Sequence, residues 1–242
     1  MRGELPGWRG LYAILDLPHA GGLAPDEAAR GLLGAGVMEI GPKIVQLRAK
    51  RASGAERAEL VRGLLPVVRA AGARLVVDDD VEAGLLADGV HLGQEDMAAL
   101  AAGEPWEAAL ARLRERAPAG FLVGLSTHSR SQVERAAGLE VDYLGFGPIL
   151  PTRSKAKPEP CVGFDGLCEV CEISRHPVVA IGGLGFADAL RCIAAGATGA
   201  AVIGALVADS GAEVRRRARD LAAALRAAID GQRAGAERPA GR

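Results

Sequence analysis

Amide and cationic side chains cluster at the end of one short apolar run, KIVQLRAK, which contains Gln46, Arg48 and Lys50. Side chains alternate between the two faces of a β-strand, so these three share a face opposite Leu47 and Ala49. An amide and two cations at a strand end suit a diphosphate, to which arginine donates paired hydrogen bonds. The alternative is a charged surface cluster that follows a strand, and this run alone does not decide between them.

Carboxylates follow the next two apolar runs. Asp78, Asp79 and Asp80 come directly after ARLVV, and Glu95 and Asp96 come after GVHLG. Adjacent carboxylates repel one another unless solvent or a cation neutralises them. Mg²⁺ binds proteins through one or two carboxylates together with phosphate oxygens, so neighbouring acids that face cations predict a magnesium site. The alternative is helix capping, which fits Asp80 or Glu95, and we expect both roles to occur.

Glycine-rich strand ends in the second half of the chain indicate a phosphate site. Ile181-Gly182-Gly183 and Val202-Ile203-Gly204 close two apolar runs, where bare backbone N–H groups can approach an anion. Before them, DYLGFGP leads into ILPTRSK, an irregular segment that predicts a loop with phosphate ligands, able to act as a lid. The alternative for this segment is an ordinary exposed basic loop.

Cysteine and histidine contribute less to the predicted chemistry. Cys168 and Cys171 form a C-x-x-C pair, but no second pair follows, and in a helix both would lie on one face. We expect these cysteines to pack rather than to bind metal. His91 lies within an apolar run and is expected to be structural, whereas the role of His128 is left open.

Eight short apolar runs alternate with longer Ala-, Leu-, Glu- and Arg-rich stretches in this chain of 242 residues. Strands that alternate with helices predict a parallel sheet covered on its outer side. Eight such units predict a single-domain (β/α)8 TIM barrel of the α/β class, with its site at the carboxyl ends of the strands. We expect residues 1–230 to form the barrel and residues 231–242 to form a flexible tail.

The composition excludes several classes of protein. A formal net charge of -1 favours neither nucleic acid nor an anionic membrane surface as a partner. No apolar run approaches the length of a transmembrane span, and the first residues, MRGELPGWRG, lack the features of a signal peptide. We therefore predict a cytoplasmic protein that binds neither nucleic acid nor membrane. Four cysteines do not make a disulfide framework in a chain of this size.

Five strings stand in order along the chain: QLRAK, DGVHLGQED, GLSTHS, DYLGFGPILPT and AIGGL. Together they resemble the thiamine-phosphate synthases, which join the pyrimidine and thiazole halves of thiamine. The resemblance extends from Leu11 to Leu206. It implies a transferase with two small-molecule substrates, hydroxymethylpyrimidine diphosphate and thiazole phosphate, and with Mg²⁺ as cofactor. It leaves open whether the protein forms a homo-oligomer.

The resemblance implies roles for the residues at the strand ends. Gln46, Arg48 and Lys50 match residues that bind the diphosphate, and Asp79 and Asp96 match the two Mg²⁺ ligands. In this family, pyrophosphate leaves in a dissociative step and the thiazole nitrogen then attacks the carbon. Such a step needs neutralisation of the leaving group more than a general base.

Further residues match the family's site on its other side. Ser126 and Lys155 match diphosphate contacts, and Thr152 matches a contact near the thiazole. Arg48, Lys50 and Lys155 are therefore expected to carry the catalysis. The remaining matches, which hold the thiazole phosphate partly through backbone groups, are Gly183, Ile203 and Gly204.

The chain departs from the family at two of these positions. Asp78 stands at a substrate-binding position where the family usually has asparagine, and Gly204 replaces a common serine. Two alternatives therefore stay open: a thiazole tautomerase-like enzyme on the same barrel, or a non-catalytic barrel that binds thiazole phosphate. Lys50, Asp79, Asp96 and Lys155 argue against the tautomerase, whereas Asp78 keeps the non-catalytic alternative open.

Overall fold

The computed structural model describes residues 8–17, 20–34, 43–152 and 159–236. Eight parallel strands form a closed barrel in chain order, in which β8 pairs with β1. The predicted (β/α)8 barrel is confirmed, and each of the eight apolar runs supplies one strand. The strands are Gly10–Asp16 (β1), Ile44–Arg48 (β2), Arg74–Asp78 (β3), Gly89–Leu92 (β4), Leu122–Thr127 (β5), Tyr143–Phe146 (β6), Val178–Ile181 (β7) and Gly199–Val202 (β8).

Nine helices cover the barrel in the described ranges, and a 3-10 turn, Gly204–Leu206, follows β8. The connection between β3 and β4 holds the shortest of the described helices. None of the described helices is both long and apolar enough to span a membrane. The helices are Pro25–Leu33 (α1), Gly54–Ala70 (α2), Val81–Leu85 (α3), Gln94–Ala101 (α4), Trp106–Arg116 (α5), Arg130–Ala136 (α6), Gly163–Ile173 (α7), Phe186–Ala194 (α8) and Gly211–Ala236 (α9).

The carboxyl end of the described chain is helical. The predicted boundary between residues 230 and 231 falls inside α9, which continues to Ala236. Residues 237–242 of the predicted tail lie outside the described residues. Helix α9 packs against α1 and α8, so the last helix covers the seam where β8 meets β1.

Two separate groups of apolar side chains fill the molecule. The larger group includes residues from strands and helices and lies between them. The smaller one, here called the inner cluster, consists of strand residues and Trp8 and contains no helix residue, so it fills the barrel interior. The buried members of the inner cluster are Trp8, Tyr12, Ile14, Ile44, Val76, Leu122, Tyr143, Val179 and Ala201.

Two buried aspartates link neighbouring strands at the amino-terminal end of the barrel. Asp142 Oδ2 accepts a hydrogen bond from Val123 N–H at 2.6 Å and from Arg114 Nη2 at 2.7 Å. Asp88 repeats the arrangement with Leu75 N–H at 2.9 Å and a guanidinium from α2. Each carboxylate accepts a hydrogen bond from a buried strand N–H, which an apolar side chain could not do.

We therefore expect Asp142→Ala to lower the free energy of unfolding by about 3 kcal/mol, because it leaves the buried Val123 N–H without its acceptor and removes the carboxylate that pairs with the half-buried Arg114 guanidinium. Asp230→Ala is the control, since the Asp230 carboxylate pairs with Arg226 at an exposed site. That change is expected to cost less than about 0.5 kcal/mol. Chemical denaturation of both variants measures the difference, and equal losses would contradict this role for Asp142.

Candidate active site

Polar side chains replace apolar ones where the strands reach the carboxyl end of the barrel. Five of them lie an even number of residues after an inner-cluster residue of the same strand. Because side chains alternate between the two faces of a strand, these five lie on the inner face. His91 joins them from β4, where its ring stacks on Tyr143 at a centroid distance of 5.5 Å. The five are Asp16, Gln46, Arg48, Asp78 and Ser126. The predicted common face of Gln46 and Arg48 is therefore the barrel interior.

Arg48 links the carboxylates of two neighbouring strands. Its Nη1 donates to Asp16 Oδ1 at 2.6 Å, and its Nε lies 3.5 Å from Asp78 Oδ2. The pairing of β1 with β2 puts Asp16 directly opposite Arg48, so backbone register alone brings these side chains together. Asp16 is buried, and a buried carboxylate is stable only when a cation or hydrogen bonds compensate its charge.

Lys50 extends this network beyond the end of β2. Its Nζ lies 3.3 Å from Asp78 Oδ2 and contacts the Asp79 carboxylate. Asp78 therefore faces two cations, Arg48 and Lys50. The Lys50 side chain is 49% exposed, so solvent or a ligand can reach its ammonium group.

Asp79 has an unusual backbone conformation. Its φ is 63°, in the left-handed region, where Asp and Asn are tolerated better than other non-glycine residues. Asp80 N–H donates to Asp78 O at 2.8 Å across this residue, and Asp79 N–H donates to His91 O at 2.8 Å. These bonds hold a tight turn that separates the roles of three consecutive carboxylates.

Asp80 caps a helix, as one of the two sequence interpretations predicts. Its Oδ1 accepts from Ala83 N–H at 3.0 Å, and its Oδ2 accepts from Arg57 Nε at 2.6 Å. Burial raises the pKa of this carboxyl, but the hydrogen bonds from Ala83 and Arg57 outweigh burial and lower the pKa overall. Asp80 therefore stays ionised and stabilises the start of α3.

Asp96, rather than Glu95, caps α4. Gly93 is the N-cap residue, so the side chain that reaches back from the third helical position is Asp96, whose Oδ2 accepts from Gly93 N–H at 3.1 Å. The capping role predicted for Glu95 is therefore wrong by one position. A Cβ atom added to Gly93 would lie 2.7 Å from Asp96 Oδ2 and 3.9 Å from Asp79 Oδ1. The two carboxylates thus face one small space beside this glycine.

The acidic residues meet the requirements of Mg²⁺ better than those of a transition metal. Among the described residues, no group of three or more His, Cys, Asp or Glu side chains could hold a metal ion. A structural or catalytic zinc site needs at least three such ligands. Mg²⁺ needs only one or two carboxylates, with water and phosphate oxygens completing its shell. Asp79 and Asp96 supply that donor set.

A cleft of about 470 Å³ joins these groups at the mouth of the barrel. The cations of its lining are paired with carboxylates, Lys50 with Asp78 and Asp79 and Arg57 with Asp80. Both kinds of charge are needed to bind a diphosphate together with a metal ion. Its lining residues are Ala49, Lys50, Arg57, Asp78, Asp79, Asp80, Val81, Glu82, Asp96, Ala99 and Leu100.

Two uncharged polar side chains lie deeper in the mouth. Gln46 is only 3% exposed, and its amide makes no hydrogen bond to any other described residue, which leaves both of its polar groups available to a ligand. Ser126 is half-buried at the end of β5, where its Oγ lies 2.9 Å from His91 Nε2. His91 is buried in β4 as predicted, but it also contacts a predicted site residue.

The opposite side of the mouth is built from backbone. Ile149 N–H donates to Ile181 O at 2.9 Å, and Leu150 N–H donates to Gly182 O at 3.0 Å, so the segment after β6 packs along the end of β7. Gly183 has a φ of 71°, and a Cβ there would lie 2.7 Å from Leu150 O. Only glycine permits this close approach in the left-handed region.

The structure describes three of the other residues predicted for this side of the mouth, but not Lys155. Ile203 is partly buried against the inner cluster, and Gly204 begins the 3-10 turn after β8. Thr152 is half-buried and ends a described range, whereas Lys155 lies outside the described residues. Val162 N–H donates to Pro148 O at 2.9 Å, so the chain that resumes at residue 159 returns to the mouth.

Two further histidines and Cys171 have contacts or burial that suit a structural role. His128 Nδ1 lies 2.5 Å from Gly147 O, and His176 Nε2 lies 2.9 Å from Ala136 O. Because a carbonyl only accepts, each of these nitrogens carries a proton. Burial, reinforced by the neighbouring Cys168, raises the pKa of Cys171 to about 12, which suppresses its thiolate. The packing role predicted for the C-x-x-C pair agrees with the position of Cys171, whereas Cys168 is exposed and does not pack in the core.

Comparison with known proteins identifies the family. Residues 32–206 match the family model described as thiamine monophosphate synthase. The chain belongs to this family. It is 36% identical over 217 residues to a thiamine-phosphate synthase of Methanocella arvoryzae, an alignment that covers 89% of this chain and 94% of the relative. It is 37% identical over 218 residues to that of Chloroflexus aurantiacus, with 89% and 92% covered.

A solved structure supports the same assignment to the thiamine monophosphate synthase family. The thiamine phosphate pyrophosphorylase of Pyrococcus furiosus superposes with a TM-score of 0.76 at 29% identity, covering 93% of this chain and all of that one. The family resemblance inferred from five short strings is therefore confirmed. Asp16 was not among the predicted site residues, although the strand-end rule applies equally to GLYAILD, the run that becomes β1.

For this member of the thiamine monophosphate synthase family, we expect Gly183→Ala to lower the free energy of unfolding by about 2 kcal/mol. The added methyl group would contact carbonyl oxygens, and the alanine would have to keep a left-handed φ. Gly204→Ala is the matched control, because its Cβ would meet no atom within 4 Å. Its unfolding free energy should change by less than about 0.5 kcal/mol. Equal effects in denaturant titrations would contradict the packing described for Gly183.

Proposed function

We propose that this protein is a thiamine-phosphate synthase, which joins hydroxymethylpyrimidine diphosphate to thiazole phosphate and releases pyrophosphate. The observation that carries the proposal is the cluster of two cations and three carboxylates at the ends of β2, β3 and β4. Relatives named as thiamine-phosphate synthases, aligned over most of both chains, support it. The members of the cluster are Arg48, Lys50, Asp78, Asp79 and Asp96.

The bond that breaks joins the pyrimidine-bearing carbon to a diphosphate oxygen, which keeps the electron pair. The thiazole nitrogen then forms the new bond with its own lone pair, so no base has to remove a proton. What the protein must supply is positive charge at the leaving group, and Arg48 and Lys50 would donate hydrogen bonds to it. Lys155 adds a third cation in this proposal, on the basis of the family resemblance.

Asp79 and Asp96 are the residues that would hold Mg²⁺. When bound, the ion adds positive charge that offsets the charge of the leaving diphosphate. Lys50 now pairs with Asp79 and Asp78, so diphosphate and metal binding would redistribute these ion pairs. Gln46 and Ser126 add uncharged hydrogen bonds to the same substrate, and Asp78 lies beside it.

The thiazole phosphate would bind on the opposite side of the mouth, at Gly183, Ile203 and Gly204. Exposed backbone N–H groups at the end of β7 and after β8 suit a phosphate in barrels of this type. Thr152 would contact the thiazole itself. Two substrates held on facing sides of one mouth place the nucleophilic nitrogen near the carbon that it attacks.

The two alternative functions fit the site less well. A thiazole tautomerase needs no diphosphate site, yet Lys50, Asp79 and Asp96 lie together in a charged cleft. A non-catalytic binder would be favoured if Asp78 repelled the diphosphate, but Arg48 and Lys50 already compensate its charge. Cytoplasmic location and the absence of nucleic-acid and membrane partners stay predictions.

The proposal is tested by incubating the full-length protein with both substrates and measuring thiamine phosphate and pyrophosphate. We expect equal amounts of the two products with Mg²⁺ and none after chelation. In calorimetry, the affinity for thiazole phosphate should change less than about threefold on chelation, because Asp79 and Asp96 lie away from the glycine site. Binding without synthesis would support the non-catalytic alternative, and isomerisation of the thiazole phosphate would support the tautomerase.

The residue that departs from the family gives a second test. We expect Asp78→Asn to raise kcat by no more than about tenfold, equivalent to about 1.4 kcal/mol of barrier, because two cations already neutralise this carboxylate. Asp79→Asn is the neighbouring comparison and should lower kcat by more than about tenfold through loss of a metal ligand. An inactive wild type that Asp78→Asn restores would contradict the synthase proposal for the natural sequence.

A further inference from the structure

A chain of hydrogen bonds runs from the mouth into the barrel interior. Ser126 Oγ lies 2.9 Å from His91 Nε2, and His91 Nδ1 lies 3.2 Å from the Tyr143 hydroxyl. The Tyr143 hydroxyl lies 2.9 Å from that of Tyr12. These four side chains, here called the Tyr12–Ser126 chain, come from β4, β5, β6 and β1, so only barrel closure brings them together.

Two glycines make room for this chain. A Cβ at Gly124 would lie 2.4 Å from the Tyr143 hydroxyl and 2.4 Å from His91 Nδ1. A Cβ at Gly145 would lie 3.0 Å from His91 Cε1. The imidazole is thus enclosed between strand backbones, and its ring stacks on Tyr143.

The direction of these bonds follows from the buried end. Tyr12 is 2% exposed and belongs to the inner cluster, where Tyr143 is the only hydrogen-bond partner of its hydroxyl among the described residues. If Ser126 donated to His91, each proton would point inward and the Tyr12 proton would have no acceptor. If Tyr12 donates to Tyr143, every proton in the chain has an acceptor.

Both tyrosines keep their protons. Burial is the main cause that raises the pKa of Tyr12 and that of Tyr143, and the nearby Asp78 carboxylate raises both further. Each phenol therefore contributes one donor and one acceptor, which allows a chain with a single direction.

We propose that the Tyr12–Ser126 chain is directional, with Tyr12 donating to Tyr143, Tyr143 to His91 Nδ1, and His91 Nε2–H to Ser126. The Ser126 hydroxyl proton is then directed to the mouth, where it donates to an anionic oxygen of a bound ligand. His91 and Tyr143 are positioning residues that act through Ser126. The identity of the ligand, a diphosphate, rests on the proposed function, whereas the direction of the chain does not.

The tautomer of His91 tests the direction in the ligand-free, full-length protein. Two-bond ¹H–¹⁵N correlation spectra distinguish Nε2–H from Nδ1–H imidazoles, above about pH 7.5, where an unperturbed imidazole is neutral. The protein carries its own references, since His176 has a protonated Nε2 and His128 a protonated Nδ1. We expect the correlation pattern of His91 to match that of His176, with the proton on Nε2. A His91 spectrum that matches His128, or one with both nitrogens protonated, would overturn the proposal.

Substitutions at His91 test its effect on Ser126. In His91→Gln the side-chain amide nitrogen reaches the place of Nε2 and still donates to Ser126, whereas in His91→Asn it reaches the place of Nδ1. We expect kcat of the Gln variant to exceed that of the Asn variant by at least about tenfold, with KM for thiazole phosphate alike in both. Equal kcat values in folded variants would overturn the positioning role.

The two tyrosines give a matched pair of hydroxyl deletions in the same cluster. Tyr143→Phe removes the donor to His91 Nδ1, so we expect its tautomer to shift toward Nδ1–H and kcat to fall at least about fivefold. Tyr12→Phe keeps that donor and should retain the tautomer and kcat within about twofold. The reverse pattern would overturn the proposed direction. A wild type with the expected tautomer but no synthesis would refute the proposed function and leave the directional chain standing.

Discussion

The site depends on the compensation of buried and half-buried charge at the mouth of the barrel. Asp16 and Asp78 lie on β1 and β3, with Arg48 between them on β2 and Lys50 just beyond. Removing one of these side chains would take a charge partner from groups that are largely withdrawn from water, which is costly. Closure of the barrel fixes this arrangement, because strand register decides which charged side chains become neighbours.

The same network gives the mouth its chemical capacity. In the proposed function, the Asp79 carboxylate would exchange its contact with Lys50 for a divalent cation, and the released ammonium group would bind a phosphate oxygen. The tight turn at Asp79 contributes by separating this carboxylate from Asp80, which is committed to α3 and Arg57. Three identical neighbouring residues thus take three different roles through backbone geometry.

Strand periodicity and strand-end position predicted much of this from sequence. Eight apolar runs gave eight strands, and the rule that polar side chains at carboxyl ends form the site located Gln46, Arg48 and Asp78. The capping residue of α4 was misplaced because sequence could not decide whether the helix begins before or after Gln94. The contact of Tyr12 with Tyr143 could not be predicted, since it joins residues 131 positions apart through the register of a closed sheet. The predicted roles of Asp79 and Asp96 in metal binding stay predictions.

In the proposed function, cations and carboxylates at this mouth would exchange partners when diphosphate and Mg²⁺ bind together. Calorimetric titration of the full-length protein with pyrophosphate, with and without Mg²⁺, tests it most directly. Because Mg²⁺ would occupy Asp79 and release Lys50 for the anion, we expect it to raise pyrophosphate affinity by at least about tenfold, or about 1.4 kcal/mol. A pyrophosphate affinity that Mg²⁺ leaves unchanged would contradict this exchange of partners.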